Sequence, residues 1–535
     1  MENSFPESGN SFYNTFRFSV IQIALSKKML KRTFSAACIG VEAITVTVEV
    51  DVSDGICFHL VGLPDSAVRE SQQRITTALG TIGARIPGKR IIVNMAPADL
   101  KKEGSSFDLG IALGILAASG QYTFSNLEDF MIMGELALDG SLRPVSGALP
   151  VAEHARESGF KGCIFPFESA AEAVEIGGID VFGARSLSEV ISILYGEEVI
   201  QPMQASPSSQ KRREDDIPDF AEIKGQESAK RALEVAAAGS HNILLCGPPG
   251  AGKTFMAKAL PGILPEMTPQ ESVETSKIYS VAGKGALKDG LIRIRPFRSP
   301  HHSASIYAII GGGTNAMPGE ISLSHNGILF LDEISEFSKP VLEVLRQPLE
   351  ERCVSISRLR YKITYPANFM LAASMNPCPC GFYGEPGDKC ICTPYQISRY
   401  RSKLSGPLLD RIDLHCEVSA VKAEHLTGDF RSESSSEIRN RVERAREIQR
   451  ERFGGRAKSN AQMTTSDLRL YCKIGKKELE FLTGAINRLG LSARAYGRIL
   501  KVARSIADLE SSKFISLKHI AEAVNYRGLD RRNNE

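Results

Sequence analysis

Asn242-Ile-Leu-Leu-Cys246-Gly247-Pro-Pro-Gly-Ala-Gly252-Lys253-Thr254 is the stretch that decides the fold of the central part of this chain. Its apolar start predicts a short buried strand, its glycines predict a loop, and residues 255–260 favour a helix. In this order the three elements form a phosphate-binding loop, whose backbone N–H groups and helix N-terminus bind phosphates. Lys253 would neutralise phosphate charge and Thr254 would bind Mg²⁺. The predicted P-loop residues are Gly247, Pro248, Pro249, Gly250, Ala251, Gly252, Lys253 and Thr254.

Two further apolar runs end in polar side chains. Gly327-Ile-Leu-Phe-Leu-Asp332-Glu333 predicts a buried strand with both carboxylates at its carboxyl end, where ligands bind in open α/β sheets. We predict that Asp332 holds Mg²⁺ and that Glu333 orients or deprotonates the attacking water. Residues 369–374 predict another strand, which leads to Asn376, an amide placed to hold that water or the γ-phosphate.

Two arginines lie in polar motifs farther along the chain. Leu408-Leu-Asp410-Arg411-Ile-Asp413 puts Arg411 between carboxylates, and Ser492-Ala-Arg494 opens a predicted helix. Arg411 is similar to an arginine finger, the group that one subunit inserts into the nucleotide site of its neighbour. A structural salt bridge is the alternative for each arginine.

These motifs together resemble those of AAA+ ATPases. Residues 297–327, FRSPHHSASIYAIIGGGTNAMPGEISLSHNG, and residues 374–382, SMNPCPCGF, resemble the magnesium-chelatase-like branch and, within it, the ComM family. The resemblance covers about residues 29–526. It implies an α/β fold: a Lon-protease-like α+β N-terminal domain, a P-loop AAA+ core with a parallel sheet, and a C-terminal helical lid.

The resemblance also implies an activity. The expected cofactors are ATP and Mg²⁺, and the expected partners are other copies of the chain, in a hexameric ring, and single-stranded or branched DNA. The implied work is helicase-type branch migration in recombination or natural transformation. In that ring Glu333, Asn376 and Arg494 would serve hydrolysis together with Arg411 of a neighbouring subunit.

Shifts in composition predict the domain boundaries. Residues 1–28 lack periodicity and read as a mobile tail, or as an over-long start before Met29. The stretch between residues 200 and 220 is rich in Pro, Ser and charge, which is typical of a linker. The predicted domains are the Lon-like domain at 29–197, a linker at 198–219, the ATPase core at 220–425 and the lid at 430–530.

Charge and hydropathy exclude two classes of protein. The 535 residues include 65 basic and 62 acidic side chains, and a net charge of +3 does not hold nucleic acid by bulk attraction. Any DNA contact must therefore be local. The longest apolar run, residues 109–118, is shorter than the roughly eighteen residues of a membrane span. The N-terminus makes a poor signal peptide, so we expect a cytoplasmic protein without a membrane partner.

Two basic segments are candidates for DNA contact. The first lies between the phosphate motifs, where the only acid among its basic residues is Asp289, and in the ATPases that the chain resembles an insertion here faces the central pore. The second is a predicted hairpin over residues 354–365 with a basic tip. A solvated loop is the alternative for both. The candidate contacts are Lys284, Lys288, Arg295, Arg298, Arg358 and Arg360.

Four cysteines are packed between residues 378 and 392. Cys378-Pro-Cys380 and Cys390-Ile-Cys392 supply four thiolates, the set that suits tetrahedral Zn²⁺. The spacing within each pair is tighter than the usual two intervening residues, so neighbouring ligands would bind with strain. The cluster is a candidate structural zinc site, with unligated loop cysteines as the alternative.

Three rival functions remain open from the sequence. The first rival is a peptidase, the function that a Lon-like domain suggests. Ser106 falls at the serine position of that family. Leu149, however, falls where the catalytic lysine belongs, and a serine without its base is a weak nucleophile. The second rival is a magnesium-chelatase motor that drives the metal into a tetrapyrrole. The third is a non-catalytic assembly module, which the intact nucleotide motifs disfavour.

Overall fold

The computed structural model describes residues 30–100, 102, 104–196, 200–205, 216–284, 290–313, 316–357, 362–386, 389–420 and 432–531. The chain divides into two compact units, Met1–Ser206 and Pro207–Glu535, and this division falls inside the predicted linker. The predicted tail, residues 1–28, lies outside the described residues. Among the described helices, none is long and apolar enough to span a membrane.

The first unit is built on a mixed sheet with helices packed against it. Its strands are β1 (Lys31–Ile39), β2 (Glu42–Ser53), β3 (Cys57–Val61), β4 (Arg90–Ala96), β5 (Phe130–Ile132), β6 (Glu135–Leu136), β7 (Leu142–Arg143), β8 (Gly162–Pro166) and β9 (Asp180–Ala184). Seven of them form one sheet in the order β3-β4-β2-β1-β5-β8-β9, and β6 pairs with β7. The helices are α1 (Ser66–Thr81), α2 (Asp108–Ala118), α3 (Ala148–Glu157), α4 (Phe167–Ala173) and α5 (Leu187–Tyr195).

Helix α2 forms the centre of the first unit's core. The apolar run at 109–118 predicts a helix here, and the structure confirms it, with every residue of α2 buried. Alternate valines of β2, among them Val46, Val48 and Val50, are buried in the same cluster. A Cβ on Gly114 would lie 2.6 Å from Val50 Cγ2, so only glycine lets the helix come this close to the strand.

The second unit contains a parallel sheet and all the nucleotide motifs. Its strands are β10 (Ile243–Cys246), β11 (Phe297–Arg298), β12 (Gly311–Gly312), β13 (Met317–Pro318), β14 (Ile328–Leu331), β15 (Cys353–Ser357), β16 (Lys362–Pro366), β17 (Met370–Met375) and β18 (Leu414–Glu417). Five of them form an all-parallel sheet in the order β11-β14-β17-β10-β18. Strands β10, β14 and β17 are fully buried because helices cover the sheet, and they therefore read as continuous apolar runs.

The helices of the second unit surround this sheet and form the C-terminal region. They are α6 (Glu227–Gly239), α7 (Lys253–Ala259), α8 (Pro269–Val281), α9 (Ile306–Ile310), α10 (Glu320–Leu323), α11 (Lys339–Val344), α12 (Arg346–Glu351), α13 (Pro394–Arg401), α14 (Gly406–Leu409), α15 (Ser435–Arg452), α16 (Thr465–Tyr471), α17 (Lys476–Leu489), α18 (Ala493–Leu509), α19 (Leu517–Asn525) and α20 (Gly528–Arg531). Helix α15 buries Ile438, Val442 and Ala445 in the core that it shares with α6, and its charged residues lie on the other faces. The α/β fold, with its parallel sheet and helical C-terminal region, is as the sequence predicts.

Strand register brings the carboxyl ends of three strands together. Cys246 pairs with Met375, and Leu331 pairs with Ala373, so β10, β14 and β17 end at one edge of the sheet. Since side chains that follow neighbouring parallel strands meet at that edge, the P-loop, Asp332 and Asn376 are placed side by side.

Candidate nucleotide-binding site

The P-loop joins the end of β10 to the start of α7, as the sequence predicts. Gly247 lies against β18, where a Cβ would be 2.1 Å from Val418 O, so no larger residue fits. Gly252 has φ of 86°, in the left-handed region that favours glycine, and it turns the chain into α7. The first N–H groups of α7 therefore point into the loop, where a phosphate would bind them.

Lys253 lies at the centre of the site. Its Nζ donates to Gly247 O at 2.7 Å, to Pro248 O at 2.9 Å and to Asn376 Oδ1 at 3.1 Å. Burial lowers the pKa of the Lys253 ammonium, while the negative charges of Asp332 and Glu333 act in the opposite direction. The side chain is thus held in one place by weak neutral acceptors, which a phosphate oxygen can replace with a stronger charge-assisted bond.

Asp332 and Thr254 fit a magnesium ion. Thr254 Oγ1 donates to Asp332 Oδ2 at 2.9 Å, so a hydroxyl and a carboxylate oxygen lie next to each other at the end of the P-loop. Oxygen ligands of this kind are those that Mg²⁺ takes in nucleotide sites, usually with water and phosphate completing the shell. The donor set therefore suits the metal that the sequence predicts.

Ser374 is a site residue that sequence reasoning missed. Its Oγ donates to Asp332 Oδ1 and accepts from Glu333 N, the latter at 3.0 Å. Glu333 has φ of 50°, a backbone conformation that is uncommon for a residue other than glycine, and Ser374 supports it from the neighbouring strand. The signal in the sequence was a single hydroxyl near the end of an otherwise apolar strand.

Glu333 and Asn376 open onto a cleft of about 510 Å³. Helix α13 and the residue stretch after it form the opposite wall, with Arg399 and Lys403 among the lining residues. Arg399 is exposed, and Lys403 Nζ lies 3.2 Å from Glu336 Oε1. A carboxylate, an amide and a cation around one cleft can bind an anionic group and a water together. Sequence reasoning did not single out Arg399.

Arg411 does not point into the cleft of its own chain. Its Nη2 pairs with Glu350 Oε1 at 2.5 Å and its Nη1 donates to Pro407 O at 2.6 Å. The side chain is 6% exposed. The structure therefore places the predicted arginine finger in an intrachain ion pair. A group of a second subunit that binds Arg411 must displace Glu350 from it.

Arg494 lies in the exposed first turn of α18. Ser492 caps this helix, with its Oγ accepting from Ala495 N at 3.3 Å and lying 3.4 Å from Asp410 Oδ1. The two arginine motifs are thus neighbours, because the residue before Arg411 contacts the residue that opens the helix of Arg494.

A buried polar network ties the lid to the sheet behind the site. Asp413 accepts from Arg498 Nη1 at 2.9 Å and from Asn242 N at 3.2 Å, and it lies 3.3 Å from His241 Nδ1. Nε2 of that histidine lies 2.7 Å from Ser505 Oγ. The serine, the histidine and the aspartate are all buried, so this arrangement holds the fold together and offers no access to a substrate. Despite the burial cost, its basic partners keep the pKa of Asp413 low.

Two arginines of the first basic segment are paired with acids from elsewhere in the chain. Arg298 forms two hydrogen bonds with Glu320, at 2.6 and 2.8 Å, and Lys284 Nζ lies 3.5 Å from the same carboxylate. Arg295 pairs with Glu271 at 3.1 Å and donates to the carbonyl of Asn326 at 2.8 Å. Both acids lie outside the basic segment, and DNA contact by these three residues stays a prediction.

The other predicted DNA contacts have different outcomes. Lys288, Arg358 and Arg360 lie outside the described residues. The hairpin itself is confirmed, since β15 and β16 pair in antiparallel register on either side of that gap. Between β11 and β12, His301 and His302 stack with ring centroids 4.1 Å apart, and Tyr307 is 73% exposed.

The four clustered cysteines have the geometry of a metal site. Their sulfur atoms all lie within 4.8 Å of one another. The Cys378–Cys380 distance is 3.3 Å, and Cys390 lies 3.7 Å from each of those two sulfurs. Tetrahedral zinc with bonds of about 2.3 Å separates its sulfurs by about 3.8 Å, whereas a disulfide brings them to about 2.05 Å. The donor set fits zinc.

In the first unit, the position expected of a peptidase base is occupied by Leu149. This residue is fully buried in α3, so it supplies no proton acceptor to Ser106. Ser105, which precedes Ser106 in the chain, donates a hydrogen bond to Glu135. The geometry gives no support to peptidase chemistry at this serine.

Comparison with known families covers most of the chain. Residues 219–426 match the family "Magnesium chelatase, subunit ChlI". Residues 48–169 match "Subunit ChlI of Mg-chelatase", and residues 432–527 match "Magnesium chelatase, subunit ChlI C-terminal".

Two relatives are similar to the chain over nearly their whole length, and a third is similar over a short stretch. The chain is 46% identical over 504 residues to "Competence protein ComM" of Haemophilus influenzae, covering 93% of this chain and 97% of that one. It is 43% identical over 497 residues to "Uncharacterized protein YifB" of Escherichia coli, covering 92% and 96%. A stretch of 127 residues, 24% of this chain and 22% of the relative, is 28% identical to "Lon protease 2" of Bacillus subtilis.

Proposed function

This chain belongs to the ComM family of magnesium-chelatase-like AAA+ ATPases, and from that premise we propose that it is a ring-forming motor that couples ATP hydrolysis to branch migration of DNA. The observation that carries the proposal is the convergence of Lys253, at the start of α7, with Glu333 and Asn376, which follow β14 and β17, at one edge of the sheet. Such a site hydrolyses a nucleoside triphosphate by positioning and electrostatics.

Each residue has a distinct task in this proposal. The N–H groups at the start of α7 and the Lys253 ammonium bind the phosphates. Thr254 and Asp332 hold Mg²⁺, which supplies positive charge to the phosphate oxygens when it is bound. Glu333, exposed beside the cleft, orients the attacking water and takes its proton, and Asn376 holds the water or the γ-phosphate in line.

A second subunit completes the site. Arg411 contacts Glu350 and Pro407 within its own chain and so contributes nothing to its own P-loop. In the proposed hexameric ring, Arg411 reaches the γ-phosphate bound by the neighbouring chain, and Arg494, from the adjacent motif, also serves hydrolysis. Hydrolysis is then tied to assembly, because each site needs two copies.

DNA is the proposed cargo. The name of the ComM relative, a competence protein, supports a role in handling incoming DNA, and single-stranded or branched DNA is the substrate class we propose. With a net charge of +3, contacts must be confined to a few residues. We propose the tip of the β15–β16 hairpin, with Arg358 and Arg360, as one contact and Lys288 as another. This activity belongs to the cytoplasm, where DNA and ATP are both available.

We also propose that Cys378, Cys380, Cys390 and Cys392 bind one zinc ion. The sulfur separations, close to those of a tetrahedral site, support this. Zinc measured by elemental analysis at well under one ion per chain would reject it.

A magnesium-chelatase motor is the second candidate, because the matching family descriptions name that enzyme. The 46% identity to the competence protein, which extends over 93% of the chain, favours the DNA motor.

The decisive experiment compares hydrolysis and DNA remodelling in the same preparations. ATPase and junction-migration assays are run on the wild type, Lys253→Ala and Glu333→Gln. The proposal expects DNA-stimulated hydrolysis and migration in the wild type and neither in the variants. Strong hydrolysis that responds to no form of DNA would overturn the motor assignment while leaving the ATPase intact.

A further inference from the structure

The cysteine cluster lies directly against the groups that are proposed to hydrolyse ATP. We infer that zinc bound by these four cysteines sets the turnover rate, because the metal joins the two walls of the cleft that contains Glu333 and Asn376. The inference rests on the proposed ATPase function and on the proposed zinc site. It goes beyond both by making the cysteines positioning residues for hydrolysis.

The first wall of the cleft leads straight into the cluster. Asn376 is separated from Cys378 by Pro377 alone, and Cys378 is fully buried. Arg401, the last residue of α13, donates from its Nε to Pro377 O at 3.2 Å, so the C-terminal end of that helix is bonded directly to the backbone between the amide and the first sulfur. Pro379, between the two sulfurs of this pair, lines the cleft together with Asn376.

The same segment also packs on the P-loop. Gly381 follows Cys380 and has φ of 87°, and a Cβ there would lie 2.5 Å from Pro249 Cδ. The turn after the first cysteine pair therefore touches the loop that binds the phosphates. This contact helps to hold the first cysteine pair in place against the P-loop.

The second wall begins at the other cysteine pair. Cys392 is followed by Thr393, which caps α13 by accepting from Gln396 N at 3.3 Å. Helix α13 carries Arg399 and Tyr400, which line the same cleft as Asn376. Within the second pair, Ile391 is 86% exposed and the two cysteines are half-buried, so this pair is less well packed than the buried Cys378.

Zinc would thus cross-link the end of β17 to the start of α13. With the metal bound, α13 is attached to the segment after β17 at both ends, by the zinc at its start and by Arg401 at its end, so Arg399 keeps a fixed separation from Asn376. Without it, the second pair loses its attachment, and misplacement of a catalytic group by about 1 Å can cost on the order of a hundredfold in rate. The P-loop remains in place because strand β10 and helix α7 hold it independently.

The test separates nucleotide binding from turnover. Cys390→Ser and Cys392→Ser are each compared with the wild type and with Cys353→Ser, a half-buried cysteine outside the cluster. We expect zinc to fall from one ion per chain to near zero in the cluster variants only. We also expect kcat to fall about tenfold to a hundredfold, while the Kd for a non-hydrolysable ATP analogue stays close to that of the wild type.

A second arm avoids variants altogether. Wild-type protein is stripped with a chelator, freed of it, and reloaded with Zn²⁺ or Co²⁺, and every preparation is assayed with ATP and excess Mg²⁺. Hydrolysis is expected to fall and to return with the metal, and cobalt is expected to give the visible absorption of a tetrahedral thiolate centre.

The outcomes are distinguishable from failure of the ATPase proposal. Wild-type kcat in a zinc-free chain, or the absence of zinc in the wild type, would overturn the inference and leave the ATPase standing. Loss of nucleotide binding together with zinc would also overturn it, because the metal would then support the fold of the P-loop. An unaffected Lys253→Ala variant would instead overturn the ATPase function itself.

Discussion

Lys253 Nζ donates a hydrogen bond to Asn376 Oδ1 across 3.1 Å, which joins the P-loop to the end of β17. The ammonium and the amide therefore flank the same point, the place where a γ-phosphate must lie if the P-loop holds the rest of the nucleotide. Their contributions differ in kind, because a cation attracts the phosphates in every state of the reaction, whereas a neutral amide contributes chiefly by orienting the attacking water.

Substitution should separate these two contributions. Lys253→Ala is expected to abolish binding of a fluorescent ATP analogue. Asn376→Ala is expected to bind the analogue normally and to lose on the order of a hundredfold in kcat, the usual cost of removing one positioned polar group. Titration of the analogue and steady-state hydrolysis measure the two effects. Equal losses of binding in both variants would contradict this division of roles.

Ser374→Ala is expected to weaken the binding of magnesium at the site. Its hydroxyl donates to Asp332 and supports the strained backbone of Glu333, so its loss releases the metal ligand and the base together. We expect a higher Mg²⁺ concentration for half-maximal hydrolysis, by about tenfold or more. Ser355→Ala on β15 is the matched control and should leave that concentration unchanged. A Ser374→Ala variant with the magnesium profile of the wild type would show that the hydroxyl is dispensable.

The sequence predicts the part of this site that depends on strand ends. An apolar run before Gly247, before Asp332 and before Asn376 reads as a buried parallel strand, and parallel strands bring their carboxyl ends together. The fold class and these residues could therefore be predicted without coordinates.

What the sequence does not predict are partners that are distant along the chain. Arg298 finds Glu320 and Arg295 finds Glu271, and neither acid belongs to the basic segment in which the arginines were counted. Arg399 stayed hidden for the same reason, since its place at the cleft depends on how α13 returns to the sheet. Long-range ion pairs follow from tertiary packing, which local pattern does not determine.

Arg411 gives a prediction that depends on assembly. Arg411→Ala and Lys253→Ala should each be inactive alone, with a loss on the order of 10³-fold or more for the arginine. Mixed and allowed to exchange, they should regain activity, because some interfaces then contain an intact P-loop facing an intact Arg411. Hydrolysis by the mixture is the measurement, and activity no higher than the sum of the two parts would contradict action between subunits.

Glu350→Gln is the control for the arginine's intrachain role. It removes the charge that Arg411 contacts in its own chain, at 2.5 Å, while leaving the arginine in place. Hydrolysis by the assembled ring is expected to stay near the wild-type level. A loss as large as that of Arg411→Ala would show that the ion pair itself is what matters.

The hairpin between β15 and β16 should affect only the DNA-dependent part of the activity. Arg358→Ala combined with Arg360→Ala is expected to lower DNA-stimulated hydrolysis more than basal hydrolysis, since the strands on either side do not line the nucleotide cleft. Lys476→Ala with Lys477→Ala, on α17, removes the same charge elsewhere and should change neither rate. Equal loss of basal and stimulated hydrolysis in the hairpin variant would reject the DNA contact.

Stability should fall as the solution becomes acidic, because two of the buried histidines of the second unit have a lowered pKa. Burial lowers the pKa of His241 and of His415, so both are neutral in the folded chain, while the unfolded chain protonates them below about pH 6.5. The unfolded state then binds more protons. The free energy of unfolding should therefore decrease below that pH, by about 1.4 kcal/mol per pH unit for each histidine.

The variant His415→Gln tests this slope. The free energy of unfolding is measured by urea unfolding, followed by circular dichroism, between pH 7.5 and pH 5. Its slope against pH should be smaller in the variant than in the wild type by about 1.4 kcal/mol per pH unit. The exposed His301→Gln is the matched control and should keep the wild-type slope. The slope measures how many protons the chain takes up on unfolding, so it is informative even if the variant is less stable at every pH.

Asp413 does not interfere, since its lowered pKa gives stability that is present above about pH 4 and lost only below it. Identical slopes for the wild type and His415→Gln would mean that folding does not change the protonation of this imidazole, which would contradict the prediction.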